Sequence, residues 1–231
     1  MNSIPVEKLK LRLLGDPILA AKAKPVEQIT EETHRISEAM LQIMYKAHGI
    51  GLAGNQVGLL QRIVTSDLDP PTDEDGNELP VHSPGEKKLL PLMPITLINP
   101  EIVSFSGNLC PFDEGCLSVP EIYANVMRSD SIVLKSMLLD GTDFVLECGG
   151  LLARVVQHEL DHLDGIVFVQ KVAPDAYPAI SRRVDKLIKR NGPRGFKVRR
   201  LVRPCLSRGP MPGPPPDFSR PRCVCAPERR S

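Results

Sequence analysis

The sequence predicts an α+β fold, a β-rich body carrying one early helix and one late helix that bears two histidines. Three observations predict it. Residues 29–47 and 149–165 repeat apolar side chains at about 3.6-residue spacing, the signature of helices with one buried face. Residues 132–139, Asp140-Gly141 and residues 144–147 form a hairpin signal, two strand-like runs around a dipeptide suited to a tight turn. Residues 95–100 and 102–105 supply further β-branched and aromatic strand material. Strands grouped together, rather than alternating strictly with helices, point to α+β.

Composition narrows the class. The 231 residues suffice for one sizeable core plus a tail, and 42% hydrophobic with 25% charged residues is the balance of a soluble globular protein. Aromatics make up 4% and Trp is absent, so the core is aliphatic and base stacking is not the chain's main business. The net charge of +1 hides an asymmetry. Lys197 and nine Arg against Asp217 and Glu228 give residues 192–231 a charge of +8, which leaves −7 for the rest. Six cysteines (Cys110, Cys116, Cys148, Cys205, Cys223, Cys225) do not form a dense disulfide framework. Residues 1–12 lack an apolar signal core and a transit-peptide pattern, and no apolar run reaches the roughly 18 residues of a membrane span. A reducing cytoplasm is the expected setting, with no membrane partner.

In chain order, residues 8–14 alternate and read as a strand closed by Gly15-Asp16-Pro17. The helix over 29–47 has Thr30 as N-cap, Glu31 and Glu32 at its positive end, and a core stripe of Ile36, Met40, Ile43, Met44 and Ala47. Residues 49–58 contain a literal G-x-G-x-x-G. That is not a dinucleotide fingerprint here, because a helix precedes it and the β-like residues 60–64 follow. It reads as a glycine loop whose backbone could approach a ligand and whose Gln56 could offer an amide donor; a plain tight connection is the alternative. Residues 69–94, rich in Pro, Gly and charge, read as a long surface excursion. Residues 175–190 form a basic helix with Ile180, Val184, Leu187 and Ile188 inside and Arg182, Arg183, Lys186, Lys189 and Arg190 outside. The fold thus occupies 1–191, and the Pro/Arg-rich residues 192–231 are expected to be a disordered tail. Cys205 with Cys223 and Cys225 could hold zinc, or stand as loose thiols.

The chemistry concentrates in Gln157-His158-Glu159-Leu160-Asp161-His162. On a helix, positions i and i+4 share a face, so His158 and His162 can grip one metal ion with Glu159 beside them. Leu151 and Val155 lie on the same stripe. Two core histidines at helical spacing are the alternative. A catalytic metal ordinarily has three protein ligands, and Cys116 in Glu114-Gly115-Cys116-Leu117-Ser118 is a candidate third; by itself it reads as a small buried hydrophobe, the commoner case.

Three motifs in order, Gly49-Ile50-Gly51-Leu52-Ala53-Gly54-Asn55-Gln56, Glu114-Gly115-Cys116-Leu117-Ser118 and Gln157-His158-Glu159-Leu160-Asp161-His162, resemble those of the peptide deformylase family. The likeness runs from about residue 11 to about residue 190, and Gly15-Asp16-Pro17-Ile18-Leu19 and Ile98-Asn99-Pro100-Glu101 fit it too. One departure falls inside a motif, Gly54 where the family usually has Ala.

The resemblance implies β-sheets packed around a central metal-binding helix. It implies one divalent ion, Fe2+ first and Zn2+, Ni2+ or Co2+ as alternatives, held by Cys116, His158 and His162. Glu159 would be the acid/base, with the Gln56 amide and the Leu117 backbone N–H holding an oxyanion. Gly51 and Gly115 would align the peptide, and Ile50, Leu151 and Val155 would wall a methionine pocket. The implied reaction removes the N-formyl group of nascent bacterial polypeptides. The basic helix over 175–190 and the +8 tail could contact the ribosome surface; a solvated extension without that role is the alternative for the tail, which has no counterpart in the family. Two other readings stay open. One is an HExxH metallopeptidase, although no His follows His162 to serve as its usual downstream ligand. The other is a binding protein of the same fold with impaired catalysis, hinted at by Gly54 and the tail.

Overall fold

In the computed structural model, residues 5–196, 198 and 201 are described. Mixed helix and sheet is the observed class. Strands β1 (Gly51–Ala53), β2 (Ile63–Ser66), β3 (Ile95–Phe105), β6 (Ser131–Met137) and β7 (Asp143–Gly149) form one sheet in the order β1-β2-β3-β6-β7, every neighbouring pair antiparallel. Strands β4 (Leu109–Cys116) and β5 (Val119–Ser129) form a separate hairpin. The helices are α1 (Glu31–Lys46), α2 (Pro84–Leu89), α3 (Gly150–Leu163) and α4 (Pro178–Asn191).

The strand expected over residues 8–14 is absent. Lys8 closes a 3-10 turn, Val6–Lys8, and the residues after it join no sheet, because their alternate N–H groups find other acceptors. Lys10 donates to the Val57 carbonyl, Arg12 to that of Gln56 at 2.7 Å and Leu14 to that of Ser118 at 2.8 Å. Alternation reported a half-buried extended chain correctly and said nothing about its partner. The glycine loop also contains a strand, since Gly51-Leu52-Ala53 pairs with Ser66-Thr65-Val64. The excursion of residues 69–94 holds α2, opened by Pro84 and a capping box in which Ser83 Oγ accepts from Glu86 N. Residues 95–105 make one strand, not two, with register irregularities against β6. Most of residues 192–231, including the three tail cysteines, lies outside the described residues.

Two apolar clusters build the interior. The first joins α1 (Ile36, Met40, Met44), the five-stranded sheet (Leu52, Ile63, Leu97, Leu134) and α3 (Leu152, Val155, Val156, Leu160). The second joins Leu14, Leu19, the hairpin (Cys116, Val119, Ile122, Val126), Phe168 and α4 (Ile180, Val184). Each aliphatic side chain so buried contributes about 1.5–3 kcal/mol of transfer free energy. Every residue from Leu152 to Leu160 is buried, so α3 is enclosed around its circumference. Its histidines therefore face protein on all sides rather than open solvent.

Candidate metal centre

β4 ends at Cys116, and Leu117-Ser118 turns the chain into β5. A register irregularity between Glu114 and Cys116 precedes the last pair of the ladder, Cys116 with Val119. α3 brings His158 and His162 to the same spot, their ring centroids 5.0 Å apart. Ligand atoms of Cys116, His158 and His162 all lie within 4.8 Å of one another, and all three residues are buried. Sγ of Cys116 is 3.1 Å from Nε2 of His162. Nε2 of His158 and Nδ1 of His162 are buried without a hydrogen-bond partner. Buried polar nitrogens are ordinarily satisfied, and with Nδ1 of His158 on Glu114, the orphaned Nε2 of that ring marks a place built for something further.

A charged network backs this cluster. The Glu114 carboxylate, wholly buried, takes a fork from Arg128, with Nη2 at 2.8 Å from Oε2 and Nε on Oε1. It also accepts from Arg154 Nη1 at 2.7 Å and meets Nδ1 of His158 at 3.0 Å. Arg128 continues to Asp161 at 2.7 Å, and Asp161 to Lys171 at 2.6 Å. Burial alone would raise the Glu114 pKa, but Arg128, His158 and their hydrogen bonds outweigh it and hold the carboxyl well below the usual range. Burial opposes charge on His158 too, yet the Cys116 sulfur and the Glu114 carboxylate lift its pKa to about 10. The cluster thus favours positive charge on the His158 ring.

Gln56 arrives from a 3-10 turn, Gly54–Val57. Its Oε1 accepts from Ala53 N at 2.8 Å, while Nε2 points to Ser118 Oγ at 3.3 Å and Cys116 Sγ at 3.4 Å. Glu159 is fully buried beside β1, and a Cβ on Gly51 would stand 2.6 Å from its Oε1 and 3.0 Å from Val155 Cγ1. Gly51 therefore lies against both the Val155 and the Glu159 side chains. Ile50 and Leu151 are half-buried against the first apolar cluster, and Gly115 and Leu117 are buried on either side of Cys116. Phe168 stacks against the His158 ring, centroids 6.1 Å apart.

Sequence reading assigned no role to Glu114, Ser118, Arg128, Arg154 or Asp161. A signal existed for two of them. Arg154 and Asp161 are charged positions within a helix that is otherwise apolar or part of the motif, and a charge there requires a partner. Arg128 carried no local signal, because its importance arises only when β5 folds back on β4.

The polypeptide deformylase family model matches residues 8–176. A peptide deformylase of a Picosynechococcus species is 42% identical over 71% of this chain and 79% of its own length. Peptide deformylase 2 of Gloeobacter violaceus is 43% identical over 74% and 86%. Among solved structures, Arabidopsis thaliana peptide deformylase 1B in complex with an inhibitor is similar at a TM-score of 0.65 and 36% identity, covering 79% of this chain and 91% of that one. A Synechococcus elongatus peptide deformylase in complex with actinonin gives 0.63 and 33%, covering 88% and 94%.

Proposed function

The chain belongs to the polypeptide deformylase family, and from that membership we propose that Cys116, His158 and His162 hold the catalytic metal, with Glu159 as proton carrier. The activity is hydrolysis of the N-formyl group from the amino terminus of nascent peptides. The family is metal-dependent, and the chain's donor set fits a divalent ion: one thiolate and two imidazoles, with Nε2 of His158 buried and without a hydrogen-bond partner. The convergence of Sγ with two imidazoles from a different element is the observation that carries the reading.

Bound there, the metal supplies Lewis acidity, lowering the pKa of a water toward about 7 and stabilising charge on the formyl oxygen. The protein's own groups do the rest. Glu159, enclosed against Gly51 and Val155, takes the proton from the attacking water and delivers it to the leaving amine nitrogen. The Gln56 amide and the Leu117 backbone N–H donate to the oxygen as it gains charge. Burial of every one of these groups strengthens each interaction and excludes competing water. The C–N bond breaks, and formate and a free amino terminus leave. Gly51 and Gly115 align the peptide backbone, and Ile50, Leu151 and Val155 receive the methionine side chain.

For the ion we propose Fe2+, on the family resemblance; sulfur–nitrogen donors also accept Zn2+, Ni2+ and Co2+. No helix among the described residues is long and apolar enough to cross a membrane. We place the reaction in the cytoplasm, where formylated chains emerge. The face of α4 that exposes Arg182, Arg183, Lys186, Lys189 and Arg190 supports a contact with ribosomal phosphates, which would weaken steeply with salt.

The decisive experiment measures formate release from a formyl-Met peptide by protein purified without oxygen. An unformylated peptide with internal bonds only serves as the competing substrate. Formate release that is lost on chelation and restored by Fe2+ is expected. Cleavage of internal bonds without formate release overturns the reading in favour of a metallopeptidase.

A further inference from the structure

We propose that Ser118 is a positioning residue that fixes the Gln56 amide, so that one of its two N–H groups is kept for the substrate oxygen. The inference rests on the oxyanion role given to Gln56 above. Three observations carry it. Gln56 and Ser118 are both wholly buried, so their polar atoms have no access to bulk water. The amide has a defined orientation, because Ala53 N–H can face only an acceptor and meets Oε1 at 2.8 Å, which turns Nε2 toward the centre. Nε2 then has two neighbours at nearly equal distance, Ser118 Oγ at 3.3 Å and Cys116 Sγ at 3.4 Å.

Those neighbours are not equivalent. Sulfur is a large, diffuse and weak acceptor, and its contact with Nε2 is the longer of the two. The N–H directed at Cys116 is therefore the one an incoming carbonyl oxygen can claim at little cost. The N–H directed at Ser118 stays bound and anchors the amide. Without that anchor, once the substrate oxygen claims the N–H that faces Cys116, the Ala53 contact is the only one of these three protein contacts still holding the amide plane. A donor whose orientation is not set in advance loses part of its value in the transition state, which is where it acts.

The backbone prepares the pair as well. The extended segment that joins no sheet donates from Arg12 N to the Gln56 carbonyl and from Leu14 N to the Ser118 carbonyl, 2.7 and 2.8 Å. It ties the 3-10 turn to the hairpin turn and sets the distance between the two side chains. Replacing Ser118 by Ala leaves those backbone bonds intact and removes only the hydroxyl.

The test is a double-mutant cycle with Ser118→Ala and Gln56→Glu, the latter keeping an acceptor for Ala53 N–H while removing both donors. Each protein is checked for metal content and thermal midpoint. In the parent, Ser118→Ala is expected to lower kcat for a formyl-Met peptide about tenfold with KM nearly unchanged, the pattern of a lost transition-state interaction. In the Gln56→Glu background the same change is expected to cost nothing more. A second readout is independent of turnover. In 15N-labelled, Zn2+-loaded protein, hydrogen exchange of the Gln56 side-chain amide should accelerate at least about tenfold in Ser118→Ala, while the buried Gln157 amide, bonded to the Ser129 carbonyl at 2.9 Å, stays unchanged. Equal kcat losses in both backgrounds, or unaltered Gln56 exchange, overturn the positioning role and leave the oxyanion role standing. Full activity of Gln56→Glu overturns the oxyanion role itself, and this inference with it.

Discussion

The Glu114 carboxylate meets Nδ1 of His158 at 3.0 Å and leaves Nε2 of the same ring buried and without a partner. A carboxylate on one imidazole nitrogen sets the tautomer and raises the basicity of the other, the usual relation behind a metal-ligating histidine. Glu114 stands two residues before Cys116 on β4 and receives Arg154 from α3 and Arg128 from β5. One side chain thus ties together the two elements that carry the three candidate ligands. Glu114→Gln is expected to weaken metal affinity about 10–100-fold, measured by competition with a chromogenic chelator. Affinity equal to the parent's would show that His158 needs no carboxylate to be oriented.

The same residue makes stability depend on acid. Its folded pKa lies below the unfolded-chain value of 4.5, because Arg128 and His158 outweigh the effect of burial. A depressed folded pKa contributes stability that is complete above the unfolded value and is lost as pH falls from there toward the folded value. Denaturant midpoints should therefore drop as pH is lowered below about 4.5. Glu114→Gln leaves Arg154 buried against a neutral group and Arg128 with Asp161 alone, which costs about 3–5 kcal/mol at neutral pH. That variant should also lose this residue's part of the acid dependence. Parallel pH profiles for the two proteins would contradict the account.

The helix of the two histidines was legible because a 3.6-residue period, two glycines before it and a glycine after it are all local signals, and α3 spans Gly150–Leu163 as that pattern indicates. The second hairpin, residues 132–147, was legible for the same reason. The approach of Cys116 to that helix was legible only through the resemblance of the three motifs, not through any periodic pattern. It depends on where β4 breaks register and on a carboxylate shared by arginines 14 and 40 residues away, relations between elements that leave no periodic trace. Residues 8–14 failed from the opposite cause, since their alternation is real but their acceptors are a helical turn and a hairpin turn. α2 was announced by Ser83-Pro84-Gly85-Glu86, a capping box followed by a short run, and was submerged in the Pro- and Gly-rich composition around it.

Gly54, the residue at which the first motif departs from its usual Ala, has no room for a side chain. A Cβ there would lie 2.6 Å from the Gln61 carbonyl oxygen and 2.9 Å from that of Leu59. Both obstacles are backbone, and Leu59 N–H is itself bonded to the Gly54 carbonyl at 2.9 Å, so the turn cannot open freely. Gly54→Ala is expected to destabilise the protein by roughly 1–3 kcal/mol, seen as a lower thermal midpoint, although it restores the usual motif residue. An unchanged or higher midpoint would mean that the turn relaxes at no cost.

Gly51 poses the same steric question against a side chain instead of backbone. A Cβ at this position would lie 2.6 Å from Oε1 of Glu159 and 3.0 Å from Cγ1 of Val155. A carboxylate end can ordinarily swing aside, so the fold should survive Gly51→Ala. Glu159 is fully buried, however, and any swing moves the group assigned to carry the proton. A misplacement near 1 Å costs about 100-fold in rate. Gly51→Ala is therefore expected to keep its metal and its thermal midpoint while kcat falls by about that factor. Glu159→Ala should lower kcat about 10²–10⁴-fold with metal retained. Adding Gly51→Ala to Glu159→Ala should then cost little more, because the displaced carboxylate is already gone. Near-parental kcat in Gly51→Ala would place the working position of Glu159 away from β1.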